Sequence, residues 1–123
     1  MKIEITPKDI RYKIQVGKGE FENMLGSLVI IKGHEIGVGP QKMKDGFIYV
    51  TLTDLRTGVA LFKFKISAVD FALGSTRELA MGMYENKMNL LSEEHYDYIF
   101  KKADETLGNY VAAPAYEVLE VSK

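Results

Sequence analysis

The chain has 123 residues, a net charge of −1 from 16 basic and 17 acidic side chains, and no cysteine. Its length suits one domain with a core of its own, and its charge balance argues against a dedicated nucleic-acid binder. The missing thiols exclude disulfides, thiol nucleophiles and thiolate metal sites.

The apolar share of 46% and charged share of 27% are those of a globular protein rather than a disordered one. The opening Met1–Pro7 stretch is too short and polar for a signal peptide, and no apolar run reaches the length of a membrane helix. These features point to a cytoplasmic chain without membrane contact. Arginine, the better residue for bidentate anion recognition, occurs only at 11, 56 and 77.

In chain order, Lys2-Ile3-Glu4-Ile5 alternates as a strand and stops at Pro7. Arg11 to Val16 alternates again, with Tyr12, Ile14 and Val16 on one face, until Gly17-Lys18-Gly19 breaks the run. Ser27-Leu28-Val29-Ile30-Ile31 is continuously apolar and largely β-branched, as in a strand covered on both faces. Phe47–Asp54 and Gly58–Ile66 alternate, the latter placing Ala60, Phe62, Phe64 and Ile66 opposite Lys63 and Lys65. Asp54-Leu55-Arg56-Thr57-Gly58 between them predicts a hairpin turn, opened by Asp and closed by Gly.

The period then changes. Ser67-Ala68-Val69-Asp70 resembles a capping box. Val69, Ala72, Thr76, Leu79, Ala80, Met83 and Lys87 form one helical stripe. Gly74 is a candidate kink, and Ser75-Thr76-Arg77-Glu78 a candidate restart. Ser92, followed by Glu93 and Glu94, caps the next helix, whose stripe is Tyr96, Ile99, Phe100, Ala103 and Leu107, with Gly108 as its C-terminal cap. Tyr98 faces away from that stripe. Tyr116–Val121 reads as a final strand.

Strands followed by helices and one last strand predict an α+β fold. Residues 1–123 read as a single domain with a mainly antiparallel sheet of about five to six strands. A two-helix hairpin packs on one sheet face, between the penultimate and last strands. No repeat or low-complexity segment interrupts the chain.

Sites are harder to read. Gly33-His34-Glu35-Ile36-Gly37-Val38-Gly39-Pro40 matches neither the dinucleotide fingerprint nor the P-loop, and reads as a strand end and wide turn. Its amides at Gly37 and Gly39, with Arg11, Lys63 and Lys65 as cationic neighbours, are the candidate site for a nucleotide or another anion. Were the strands carrying Arg11 and Lys63/Lys65 adjacent, their shared face would be positive. The interleaved aromatics Tyr12, Phe62 and Phe64 point the other way, which disfavours nucleic-acid stacking.

His34-Glu35 points to opposite faces of a strand. Glu94, His95 and Asp97 lack the three- or four-residue spacing that would bring a histidine into a metal site. No Gly-x-Ser-x-Gly elbow is present, so no catalytic residue, metal or cofactor is assigned. Met81, Tyr84 and Met88 lie beside the main stripe of their helix and make its apolar face unusually wide. With Tyr98 they are the candidate interface of a homo-oligomer.

The function read from these features is a non-enzymatic binding or inhibitor-type protein, a class that includes accessory proteins of phages and mobile elements. Its partners are a second copy, another protein or a small anion. A small-ligand binding or sequestering protein is the alternative, and a small enzyme without a recognisable motif the second.

Overall fold

Pro7 does not end the first strand; it bends it. In the computed structural model, which describes residues 2–17, 19–42, 45–74, 76–107 and 112–119, β1 runs from Ile3 to Gly17. It pairs with β2 (Glu20–Ile31) through a bulge: Ile5 faces Val29, but Asp9 faces Ser27. Proline has no N–H to give the ladder. The Thr6 hydroxyl takes that place and donates to the Leu28 carbonyl at 2.7 Å.

A two-residue turn follows. Lys32 and Gly33 both hold positive φ (52° and 81°), the backbone that suits the twist of a tight hairpin. β3 (His34–Lys42), β4 (Ile48–Asp54) and β5 (Ala60–Ile66) complete a meander. The predicted Asp54–Gly58 turn joins the last two strands. The buried Asp54 carboxylate accepts from the Arg56 amide at 3.1 Å and the Thr57 hydroxyl at 3.3 Å. β6 (Glu117–Val118) returns beside β1, giving the antiparallel order β5-β4-β3-β2-β1-β6. The remainder of the expected Tyr116–Val121 strand lies partly outside the described residues.

Ser67 caps α1 (Ala68–Leu73), accepting from the Asp70 amide, and Thr76 caps α2 (Arg77–Met88), accepting from the Leu79 amide. The chain thus breaks after Gly74 and restarts as its sequence suggests; Ser75 itself lies outside the described residues. α3 (Glu93–Leu107) starts where Ser92 accepts from the His95 amide at 3.1 Å. Its proposed cap Gly108 falls outside the described residues. Tyr96, Ile99, Phe100 and Ala103 are buried while Tyr98 is 60% exposed, in agreement with the periodicity.

The register of α2 differs from the sequence reading. Its buried side chains are Met81, Tyr84 and Met88, spaced three and four apart, whereas Leu79 is 55% exposed. The three pack with Val29, Val38, Leu52, Ile66 and Phe100 in the main core. The wide apolar face is therefore needed because the sheet and α3 cover α2 from two sides. In the single chain these three residues are buried in the core rather than exposed as a patch.

The other sheet face holds a second core of Ile10, Tyr12, Leu28 and Leu55. Here the outer half of the β1–β2 hairpin folds back across β3 and β4. Gln15 N donates to the carbonyl of Gly58, in the far turn, at 2.9 Å. The Tyr12 ring lies flat on the sheet at Gly37, where any Cβ would sit 2.7 Å from a ring carbon. The Gly33–Pro40 stretch is thus mostly strand, with Gly37 clearing a slot for that ring and Gly39 admitting the Leu25 carbonyl. Burial raises the Tyr12 phenol well above its ordinary pKa; its oxygen lies near Thr53 without completing a hydrogen bond.

Gly37→Ala should destabilise the fold by about 1–3 kcal/mol, the usual range for overpacking. Tyr12→Phe should be neutral or stabilising, because it removes a buried hydroxyl without a partner. Urea denaturation reads both, and a tolerated Gly37→Ala would contradict the packing described. Burial also pushes Tyr96 from 10.0 up to about 12. The folded state then holds a proton that the unfolded chain releases, so stability is full below pH 10 and should fall as pH rises through about 12. Tyr96→Phe should flatten that fall in alkaline melting curves.

Candidate functional site

The bend in β1 and β2 opens a cavity of about 410 Å³ between the sheet corner and the α1–α2 pair. Leu25, Val38 and Pro40 form its sheet side, and Phe71, Met83 and Tyr84 its helix side. Leu25 and Phe71 are 58% and 47% exposed, so apolar surface extends to the mouth.

One polar cluster stands against this apolar wall. The bulge turns Asp9 and the Thr6 carbonyl outward. Arg77, in the first turn of α2, donates from Nε to Asp9 and from Nη2 to Thr6 O, each at 2.7 Å. Ser27 Oγ donates to the same Asp9 oxygen at 3.2 Å. A planar guanidinium can serve two acceptors at once, which an ammonium cannot do with the same fixed geometry. Arg77 therefore latches the helices onto the bent strand, and its charge is matched by Asp9.

The size and lining fit an apolar group entering a preformed pocket with one polar end. Two other hollows, of about 650 and 660 Å³, lie beside Glu35 and Arg56 and beside Lys65 and Lys87. In the first, Glu35 accepts from Tyr116 and Arg56 donates to Asp54 and Asp104, so its charged groups are tied into fold contacts. The His34 ring stacks on Phe100 with centroids 4.1 Å apart, while Glu35 bonds on the opposite side. Among the described residues no three His, Asp or Glu side chains gather in a metal-holding group.

The anion site expected at Gly37 and Gly39 is not assembled. Both glycines pair with β4, opposite Thr53 and Thr51, beneath the hairpin rather than in an open loop. Arg11 pairs with Glu117 at 3.2 Å, on the sheet face opposite Lys63 and Lys65 and four strands away from β5. The aromatic neighbours also differ: Lys63 lies over Tyr49 and Lys65 over Phe47, so two rings do share the lysine face. Met81 and Tyr84 line the cavity from the core, and Tyr98 stands apart on the outer side of α3.

Asp9, Ser27, Pro40, Phe71 and Arg77 carry no local pattern that marks them as a site. Asp9 and Arg77 are 68 positions apart, and nothing local marks them as a pair. A local hint was available in Pro7 and Pro40, since proline inside a strand run marks a bulge or an edge.

The chain matches no protein-family model, no curated protein and no solved structure. No helix among the described residues is long and apolar enough to cross a membrane.

Arg77→Ala should lower stability by about 1–2 kcal/mol, the range for hydrogen bonds to a charged group discounted for partial exposure. Arg77→Lys should recover less than half of it. Full recovery by lysine in urea denaturation would show that charge alone matters.

Proposed function

We propose that this protein is a non-enzymatic binding protein that accepts an apolar group in the cavity between the β1–β2 bend and the α1–α2 pair. The observation that carries this reading is the preformed cavity of about 410 Å³, walled by Leu25, Pro40, Phe71 and Met83, with a single polar cluster. Arg77, Asp9 and Ser27 are hydrogen-bonded to one another, which suits them to positioning a ligand's polar end better than to acid–base or nucleophilic chemistry. Because Arg77 and Asp9 offset each other, the favoured ligand is uncharged or amphipathic rather than a bare anion. An apolar side chain of a protein partner meets the same description.

The amphipathic dye 8-anilinonaphthalene-1-sulfonate, an apolar ring system with one polar end, should bind the folded protein at one site per chain, with a rise in fluorescence. Ala80→Trp, which fills the cavity from α2, should abolish the signal while leaving the circular dichroism spectrum unchanged. Undiminished dye binding in a folded Ala80→Trp variant would refute this site.

A further inference from the structure

We propose that the cavity takes a neutral amphiphile whose head both donates and accepts hydrogen bonds, a carboxamide being the simplest such group, and whose far end carries a second polar group. This inference rests on the reading of the cavity as a ligand site and names the chemistry of its occupant. The head is set by the bonds that Asp9 and Arg77 leave unused. Arg77 spends Nε on Asp9 Oδ1 and Nη2 on Thr6 O. Asp9 Oδ1 also takes the Ser27 hydroxyl. Among the described residues, neither Arg77 Nη1 nor Asp9 Oδ2 takes part in a hydrogen bond. A guanidinium only donates and an ionised carboxylate only accepts, so a head that serves both must carry an acceptor and a donor.

The same pair selects against a charged head. Asp9 and Arg77 stand 2.7 Å apart and neutralise each other, with side chains only 36% and 23% exposed. A carboxylate head would gain Arg77 but meet Asp9. An ammonium head would gain Asp9 but meet Arg77. Either would also give up its water on entering an apolar pocket, a cost that a neutral amide largely avoids. Besides this pair, Tyr84 is the one titratable side chain in the lining, so no other charge is present to compensate.

Tyr84 supplies the second anchor. It follows Arg77 by seven positions on α2, so the two share a face and lie about 10 Å apart along the helix axis. Ala80, between them on that face, is small and leaves the wall open to an apolar chain. Tyr84 is 6% exposed, and burial pushes its phenol above the ordinary range. Yet its hydroxyl makes no hydrogen bond among the described residues. Two other buried hydroxyls without partners, Tyr12 Oη and Thr51 Oγ1, are sealed from solvent. Tyr84 Oη is not sealed, and the space its residue lines is the cavity. A buried hydroxyl left unpaired is costly, and a ligand's polar far end offsets that cost.

Nuclear magnetic resonance titration of the isotope-labelled chain with octanamide, octanoate and octylamine at neutral pH, followed at the amides of the cavity wall, reads the head preference. Octanamide should bind roughly tenfold or more tightly than either charged analogue. Its ω-hydroxy derivative should gain roughly a further threefold to tenfold, the contribution of one neutral hydrogen bond. That gain should vanish in Tyr84→Phe. Asp9→Asn, which leaves the Arg77 charge unmatched, should invert the order and favour octanoate. A wall that responds to none of these compounds would show that the cavity is no ligand site, and the inference would fall with that reading. Octanoate or octylamine binding as tightly as octanamide, an unchanged order in Asp9→Asn, or a hydroxyl gain that is absent or survives in Tyr84→Phe would leave the cavity standing and overturn the inference alone.

Discussion

The Tyr12 ring lying in the slot above Gly37 is the contact on which the rest of this structure depends. A six-stranded antiparallel sheet can remain open and twisted with one face wet. Here the outer hairpin turns back over that face, and an aromatic ring of large apolar area fills the space between the layers. The ring fits because the facing strand carries no Cβ at that position. Leu28 and Leu55 complete the second core, and the Gln15–Gly58 bond closes its far end.

The bend needed to bring Tyr12 there has consequences on the outside. β1 must bulge at Pro7, which exposes the Thr6 carbonyl and turns Asp9 outward. Arg77 answers both and ties α2 to the corner. The space between bent strand and helices becomes the cavity. β3 cannot pair with β2 through the turn, because Pro40 ends their ladder. The cavity is thus a product of that distortion of the sheet and would not exist in a flat meander.

Much of the architecture was legible in the sequence. The Asp54–Gly58 hairpin, the Ser67 and Ser92 caps and the α3 stripe rest on local chemistry, and local chemistry is what a sequence displays. The α2 register is not legible locally, because Met81, Tyr84 and Met88 compete with a second apolar stripe. Only the presence of α3 above and the sheet below decides between the two. The Gly33–Pro40 stretch is ambiguous for a related reason: glycine clusters suggest turns, yet Gly37 is required by a tyrosine 25 positions away. The candidate site was the least legible part. Its polar cluster joins Asp9, Ser27 and Arg77 from three elements, and its lining comes from both halves of the chain.

Nuclear magnetic resonance of Gly37 tests the layered account most directly. A ring stacked on its Cα predicts strongly upfield-shifted Hα resonances and nuclear Overhauser contacts to the Tyr12 ring protons, both lost in Tyr12→Leu. Gly37 Hα resonances at ordinary strand positions, with no contact to Tyr12, would show that the hairpin does not fold over the sheet and would contradict the account.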